Sequence, residues 1–305
     1  MLTTLATLAG LALAQQTDTT VPVRAGARLE VNNFGGEIAV KTWSKSAVRI
    51  AASHSSRDRI TIDASDQVVR VKSESRRGPS QVVDYEITVP AAMALALSGV
   101  YTDISVEGSQ GEITAETVQG TVNVSGGVGT VSLKSVQGDV TLEKARGRID
   151  LSSVNETIKA SQISGDISAE TVNGDISLVQ IESANTEATT VNGDVTYDGT
   201  IKDGGRYRFS THDGDLRVSV PEKASVSVSV STFNGDFNAC FPVQLTGKTK
   251  HRFSLTIGSG TARLELESFD GDIRLCRPGQ LAKDKDWRVK DKDWDKDHNN
   301  DQEEE

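Results

Sequence analysis

The sequence predicts an all-β protein that folds as a two-sided parallel β-solenoid behind an irregular N-terminal β cap. Glycines recur on a nine-residue frame, apolar residues alternate after each glycine, and one class of triplet returns at every second frame position. Alternation at spacing two is the period of a strand, and a fixed repeat of strands is typical of a stacked array. Because no nine-residue unit can bury its own apolar face, neighbouring units must cover one another.

The glycine frame lies in the stretch from Gly108 to Tyr197, and near the end of this stretch it slips by one residue to Gly193. Its members are Gly111, Gly120, Gly129, Gly138, Gly147, Gly165 and Gly174. Apolar residues follow each glycine at two and four places, as Val122 and Val124 follow Gly120. This spacing predicts one short strand for every frame position.

A hydroxyl residue, a valine and an amide residue stand before every second frame position. The hydroxyls are Thr117, Ser135, Ser153, Thr171 and Thr190, and the amides are Gln119, Gln137, Asn155, Asn173 and Asn192. A repeat of 18 rather than 27 residues favours a flattened coil of two strands over a three-sided prism, with a climb of about 4.8 Å per coil. The hydroxyls and amides should then form stacked polar columns, while Val118, Val136, Val154 and Val172 should form one buried row.

The pattern divides the chain into four segments. An apolar run ending in Ala12-Leu13-Ala14 predicts a signal peptide over 1–14 and therefore export to the periplasm, the cell envelope or the medium. Irregularly spaced strands over 21–98 predict a β entry or cap region, and the solenoid follows over 99–277. Its coils should lengthen to twenty-one residues or more near the C-terminus and hold larger interior residues there, namely Phe233, Phe237 and Phe269. The charged segment 283–305, with its repeated Lys-Asp-Lys-Asp-Trp, predicts a disordered tail.

The two cysteines occupy equivalent places. Cys240 follows Gly235 by five residues and Cys276 follows Gly271 by five. On successive coils they would share one outward-facing column with Cα atoms about 5 Å apart, which is within disulfide range. A disulfide is therefore the expected state of an exported chain, and two free thiols are the alternative.

Composition narrows the range of partners. The 305 residues carry a formal net charge of −10, are 36% hydrophobic and only 5% aromatic. An acidic chain lacks the clustered Lys and Arg that nucleic acid requires, so no nucleic-acid partner is expected. After the leader no apolar run reaches the length of a transmembrane helix, so no membrane span is expected in the mature chain.

Several segments resemble a bacterial family of exported β-strand-repeat proteins of unknown function that carries the label "putative adhesin". The matching segments are Val31-Asn-Asn-Phe-Gly-Gly-Glu-Ile38, Tyr85-Glu-Ile-Thr-Val-Pro90, the Gly-Asp-Ile/Val repeats, and the endings around Asp213-Gly-Asp215 and Asp270-Gly-Asp272. The resemblance covers roughly residues 25–276 and implies a β-solenoid in the cell envelope. The family carries no established activity and no catalytic residues that the resemblance could transfer to this chain.

An aspartate column is the feature most suggestive of chemistry. Asp175, Asp194, Asp215 and Asp236 each follow a glycine, as in the calcium-binding nine-residue repeats of toxins, and are therefore calcium candidates. Those repeats pack several ligands around each ion, whereas this column offers one carboxylate per coil, which favours ordinary turn residues. His212 takes the place of a residue expected to point inward and is therefore expected in the core or at its rim.

These patterns predict a non-enzymatic envelope or secreted binding protein of the adhesin type, without a bound metal or cofactor. Its partner would be an envelope protein or a polysaccharide, recognised by an extended surface that the outward-facing Ser, Thr, Asn and charged columns form. A self-associating structural element of the envelope is the first alternative. A polysaccharide-active β-helix enzyme is the second, although the acids are dispersed and no catalytic motif is present.

Overall fold

The computed structural model describes residues 15–75, 82–249 and 251–281. The predicted signal peptide over 1–14 and the predicted tail over 283–305 lie outside these residues. Throughout the described ranges the chain is all-β without an α-helix, and accordingly no helix there is long and apolar enough to cross a membrane. The chain divides into two compact units, residues 1–159 and 160–305.

Unit 1 alternates buried apolar and exposed polar side chains along its strands, which is the pattern of half-buried β structure. Its strands are β1 (Gln15–Pro22), β2 (Arg28–Trp43), β3 (Ala47–His54), β4 (Asp58–Ala64), β5 (Val68–Ser75), β6 (Asp84–Pro90), β7 (Ala94–Ser109), β8 (Ile113–Gln119), β9 (Val122–Gly126), β10 (Val128–Gln137), β11 (Val140–Glu143) and β12 (Arg146–Ser152).

Parallel pairing at an offset of two frame positions organises the second half of unit 1. In one ladder Ile113 lies beside Val131, and Val131 lies beside Ile149. In the other ladder Val122 lies beside Val140. All five side chains have no exposed surface. Equivalent residues of successive triplet repeats therefore occupy neighbouring strands, as the repeat predicts.

Strand β2 extends this arrangement towards the N-terminus. It pairs in parallel with β7 along most of its length, so that Leu29 lies beside Leu95 and Ile38 beside Ile104. The chain between β2 and β7 forms strands β3 to β6. Two of these strands, β5 and β6, pair with the edge of β2 that β7 does not occupy. Further strands are added in antiparallel orientation: β4 pairs with β5, β3 pairs with β6, and β1 pairs with β3. These strands cover backbone groups that the edge of β2 would otherwise present to other chains.

The strands of unit 2 are mostly shorter, and the first of them begins two residues before the boundary between the units. They are β13 (Ile158–Glu170), β14 (Ile176–Glu182), β15 (Asn185–Thr189), β16 (Val195–Gly199), β17 (Arg206–Asp213), β18 (Leu216–Ser219), β19 (Val226–Asn234), β20 (Phe237–Ala239), β21 (Leu245–Lys248), β22 (Arg252–Ile257), β23 (Ala262–Asp270) and β24 (Ile273–Cys276).

The spatial order of the last strands of unit 2 departs from their order in the chain. Ile176 of β14 lies beside Val195 of β16, and Val195 lies beside Leu216 of β18, so the offset grows along the chain as expected. Beyond them, however, β23 lies between β17 and β19, and β24 lies between β18 and β20. The last strands therefore do not stack in chain order, because β23 and β24 insert between earlier strands. Antiparallel strands β22 and β21 cover the free edge of β19.

The interior of unit 2 is filled by larger side chains than that of unit 1. Tyr197, Tyr207 and Phe209 are buried, and the Tyr197 ring lies 4.9 Å from the Phe209 ring and 6.0 Å from the Tyr207 ring, measured between centroids. These rings come from β16 and β17, so the two ladders of the unit pack against each other. The sequence-based expectation that Phe233 and Phe269 enlarge the interior is wrong, since they are 53% and 46% exposed.

Candidate functional site

The hydroxyl column of unit 1 is buried, so the expectation that it faces outward is wrong. Thr117, Ser135 and Ser153 are at most 5% exposed. The Thr117 hydroxyl donates to the carbonyl oxygen of Thr102 at 2.9 Å, and Ser135 donates to that of Gly120 at 2.9 Å. Ser153 donates to the Gly138 carbonyl at 3.5 Å. Each hydroxyl thus satisfies a backbone acceptor of the preceding repeat, which removes the cost of burying both groups.

Unit 2 repeats this arrangement with its own hydroxyls. Thr171 and Thr190 are buried in the same way, and Thr190 donates to the Gly174 carbonyl at 3.0 Å. The sequence triplets stop there, but the structure continues the column with Thr211, Ser268 and Thr232. Their acceptors are the carbonyls of Gly193 at 2.9 Å, Gly214 at 3.0 Å and Gly271 at 3.3 Å.

The glycine frame permits this close approach. A Cβ atom on Gly138 would lie 1.9 Å from the carbonyl oxygen of Gly120, and a Cβ on Gly193 would lie 2.2 Å from that of Gly174. The φ angles of Gly138 and Gly193 are +153° and +154°. Both the space and the backbone conformation therefore require glycine.

The valines of the triplet lie outside, contrary to the sequence-based expectation of a buried row. Val118, Val136 and Val172 are 49%, 40% and 41% exposed, and Val154 is partly exposed. Strand alternation explains the correction: Ile113 and Ala115 point inward, so Thr117 points inward and Val118 points out. We call the exposed residue after each buried hydroxyl the corner row. Its members are Val118, Val136 and Val154 in unit 1, and Val172, Val191, His212, Phe269 and Phe233 in unit 2.

The predicted amide column lies beside the corner row and is exposed. Gln119, Gln137, Asn155, Asn173 and Asn192 all face solvent. The Asn192 side-chain amide donates to the Asn173 side-chain oxygen at 2.8 Å, so at least this pair is joined from repeat to repeat as expected for an amide ladder. The polar surface at this corner therefore consists of amides, whereas the hydroxyls serve inside the fold.

Aromatic rings replace valine in the last part of the corner row. His212 stacks on Phe269 with centroids 4.8 Å apart, and Phe269 stacks on Phe233 at 5.0 Å with the planes within 3° of parallel. Phe233 stacks on His251 at 4.6 Å. We call these four residues the ring stack. Since His212 is exposed, its expected position in the core or at the rim is wrong.

The ring stack borders a cleft of about 430 Å³. Its other lining residues include the outward-facing Ser210, Ser231, Glu267 and Arg252, and the buried hydroxyl residues beneath the rings also border it. The Glu267 carboxylate also lies 3.9 Å from the Arg208 guanidinium. A row of apolar rings thus stands beside a row of hydrogen-bonding groups. We call this cleft the ring groove.

The aspartate column has a structural role. The Asp175 carboxylate accepts the backbone N–H of Asp194 at 2.8 Å, Asp194 accepts that of Asp215 at 2.8 Å, and Asp272 accepts that of Asp236 at 2.9 Å. Each carboxylate therefore holds the equivalent residue of a neighbouring strand. Among residues 15–75, 82–249 and 251–281, no three His, Cys, Asp or Glu side chains come together as a metal-holding group. The calcium analogy thus gains no geometric support in the described residues.

One arginine neutralises part of this column. Arg217 lies 2.9 Å from the Asp194 carboxylate and 3.0 Å from the Asp215 carboxylate. The Asp215 side chain is only 7% exposed, so its charge is compensated where water is scarce. Apart from this pair of contacts, burial raises the pKa of Tyr85 to about 12 and also raises the pKa of Tyr197.

The predicted disulfide is present. Cys240 and Cys276 are bonded, with Cα atoms 4.7 Å apart, at the ends of the adjacent strands β20 and β24. Cys276 is fully buried, so the expected outward-facing column is wrong for this residue. The bond therefore joins the inserted strand β24 to its neighbour β20.

Sequence reasoning missed the ring stack. Its signal was the alignment of Thr211-His212-Asp213, Thr232-Phe233-Asn234 and Ser268-Phe269-Asp270, which places three rings directly after three buried hydroxyls. The order of the rings could not be read from this alignment, because Phe269 reaches its place between His212 and Phe233 only through the insertion of β23.

Comparison with known proteins agrees with this architecture. A putative adhesin from Parabacteroides merdae superposes with a TM-score of 0.51 at 10% identity, covering 86% of this chain and 96% of that chain. A putative adhesin from Parabacteroides distasonis superposes with a TM-score of 0.50 at 10% identity, covering 87% of this chain and 98% of that chain. At such identities the similarity shows the fold alone.

A search among curated proteins finds no match. The family described as Toastrack DUF4097 matches residues 87–276, which is more than half of the chain. This stretch includes the strands that carry the glycine frame, the buried hydroxyls and the ring stack. The chain therefore belongs to the Toastrack DUF4097 family.

Proposed function

We propose that this protein is a non-enzymatic binding protein of the adhesin type, exported to the cell envelope or beyond, and that the corner row is its binding surface. The observation that carries the proposal is the exposure of Phe233 and Phe269, which are 53% and 46% exposed although each stacks between two other rings. Exposed apolar side chains gathered in one place typically mark interaction sites.

The construction beneath the corner row supports this role. Directly before Phe269 and Phe233, the hydroxyls of Ser268 and Thr232 are buried and bonded to glycine carbonyls. The exposed rings therefore extend from a part of the backbone that is held by buried hydrogen bonds. Because this backbone is already ordered, less conformational entropy is lost when a ligand binds to the rings.

The finer architecture is part of the proposal. We infer that the paired strands are coils of a two-sided parallel β-solenoid, with the corner row of each unit along one of its two edges. In unit 1, left-handed φ values at Gly108, Gly126 and Lys144 recur once in each triplet repeat and indicate a second turn in each coil. Together with the turn at Gly120 and Gly138, this gives two turns for each repeat.

A non-enzymatic role is supported by how the acids are used. The carboxylates of the aspartate column hold backbone N–H groups, so they serve as structural acceptors. Solved structures of the same fold that are described as putative adhesins support an extracellular or envelope location. We propose that the partner there is a protein or a polysaccharide. Nucleic acid is not expected as a partner of a chain with a net charge of −10.

The test is binding of the purified full-length protein to immobilised envelope fractions. We expect the double variant Phe233→Ser/Phe269→Ser to bind at least about tenfold more weakly, since exposed aromatic anchors dominate binding energies. Leu245→Ser is the matched control, because Leu245 is a 41% exposed apolar residue of the same unit outside the corner row. Equal binding by the double variant and the wild type would refute the assignment.

Self-association is the second candidate, and the same exposed row favours it, since a row of apolar side chains could also pack against a second copy. Sedimentation of the wild type and the double variant over a range of concentrations separates the two. A structural, self-associating element predicts concentration-dependent assembly that the double variant loses, whereas a binding protein predicts monomers in both cases.

A further inference from the structure

The ring groove combines apolar and polar recognition along one line. On one side stands the ring stack of His212, Phe269, Phe233 and His251. On the other side lie hydrogen-bonding groups from successive strands: Ser210, Glu267, Ser231 and Arg252. Strand pairing places these four groups in the same order as the rings. Strands β17, β23 and β19 each contribute one ring and one polar group, and His251 directly precedes Arg252 of β22.

The rings present their edges to a ligand. Phe269 is covered by His212 on one face and by Phe233 on the other, and Phe233 is covered by Phe269 and His251. The exposed half of each Phe side chain is therefore ring edge. Ring edges are electropositive and apolar, so they suit a ligand that offers oxygen atoms together with C–H groups.

The spacing of the groove distinguishes between polymers. Successive rings follow the spacing of paired strands, about 4.8 Å. Side chains on one face of an extended peptide recur at about 6.7 Å, twice the rise per residue, and would lose register within a few rungs. An extended β-1,4-linked glycan advances by roughly one strand spacing per sugar and turns each sugar over relative to the one before it. Since both edges of a sugar carry oxygen atoms and C–H groups, each sugar would still meet one ring and one polar group.

Charge indicates which kind of glycan fits. The acids at the groove and in the adjoining column are Glu267, Asp213 and Asp270, and the nearby bases are Arg252 and Arg208. The balance is slightly negative, which disfavours a polyanion and leaves both donors and acceptors for hydroxyl groups. We propose that the ring groove binds an uncharged polysaccharide that runs across the strands. This inference rests on the proposed binding function.

The test is affinity electrophoresis of the full-length protein through native gels that contain hydroxyethyl cellulose, a β-1,3-glucan or polygalacturonate. We expect retardation by at least one of the two neutral glycans. Phe269→Leu should weaken it about tenfold, because leucine keeps the apolar character but removes the ring. Arg252→Gln should weaken it about threefold, and Leu245→Ser should leave it unchanged. Near-UV circular dichroism confirms that each variant is folded.

Two outcomes would overturn the inference. One is retardation of the wild type by polygalacturonate alone or by no polymer, and the other is equal retardation of the wild type and Phe269→Leu. The envelope-binding assay, performed in parallel, separates this failure from that of the proposed function. If envelope binding still depends on Phe233 and Phe269, the binding surface stands and only the ligand class is wrong. If envelope binding is also independent of the rings, both proposals fail.

Discussion

The hydroxyl of Ser135 donates a hydrogen bond of 2.9 Å to the carbonyl oxygen of Gly120, 15 residues earlier. The same relationship joins Thr117 to Thr102 and recurs in unit 2 from Thr190 to Gly174. It places a polar group inside the fold at the point where a valine would be expected, and it turns the valine outward. The outward direction of the corner row, and with it that of the ring stack, follows from this repeated contact.

Removing such a hydroxyl should destabilise the fold. Thr117→Val keeps the shape of the side chain but leaves the Thr102 carbonyl without its donor, which we expect to cost about 1–2 kcal/mol of unfolding free energy. Thr114→Val, in the same strand but exposed, should change it by less than about 0.5 kcal/mol. Urea denaturation followed by circular dichroism measures both. Similar losses in the two variants would contradict the role of the buried hydroxyl.

The glycine frame should tolerate no side chain. In Gly138→Ala the new Cβ would lie 1.9 Å from the Gly120 carbonyl oxygen, so strands must separate, at a cost of about 2–4 kcal/mol. Gly26→Ala is the control, since Gly26 also has a positive φ, +84°, but no atom lies within 4 Å of its added Cβ. We expect about 1–2 kcal/mol there from backbone strain alone. Equal shifts in the denaturation midpoint would show that packing against Gly120 is unimportant.

The disulfide should stabilise the end of unit 2. It closes a loop of 36 residues, for which the chain-entropy relation gives about 3–4 kcal/mol. Cys240→Ala removes the exposed partner and leaves the buried Cys276 in place. We expect its denaturation midpoint to equal that of the reduced wild type and to be insensitive to reductant. A wild type that is equally stable with and without reductant would contradict this prediction.

Alkaline conditions should weaken unit 1 through Tyr85. Burial raises the pKa of Tyr85 to about 12, whereas a phenol in the unfolded chain ionises near pH 10. The stability that depends on the neutral phenol is therefore complete below about pH 10 and is lost as the pH rises towards 12. The slope is up to about 1.4 kcal/mol per pH unit.

Denaturation at pH 8, 10 and 11 tests this dependence. We expect the midpoint of wild-type protein to fall between pH 10 and 11, and that of Tyr85→Phe to fall less over the same interval. At pH 8 both forms carry a neutral ring and serve as their own reference. An identical fall in the two proteins would assign the alkaline sensitivity to other groups.

The sequence was sufficient for features that depend on local periodicity. The register of Ile113 beside Val131 and the bond between Cys240 and Cys276 both follow from counting residues along the frame. Hydrophobicity could not predict which residue of the triplet points inward, because Val118 is more apolar than Thr117 and yet lies outside. Carbonyl acceptors supplied by the preceding repeat decide that competition, and they become visible only once the strands are stacked.

The order of the last strands was also beyond the reach of the sequence. Val228 and Phe209 are both compatible with Leu264 and Leu266 as neighbours, since every strand of the frame carries the same inward alternation. A pattern that repeats cannot specify which copy lies beside which. The ring stack could not be predicted for the same reason, because Phe269, which stacks between His212 and Phe233, belongs to the inserted strand β23.

The insertion has a consequence for how the chain is made. Strands β19 and β20 leave the ribosome before β23 and β24, yet in the finished protein they lie on the far side of them. Assembly in the order of synthesis would place β19 directly against β17 and occupy the space that β23 requires. The final rungs can therefore close only after Cys276 has been synthesised, so a nascent chain paused before that residue would hold this end of the protein open.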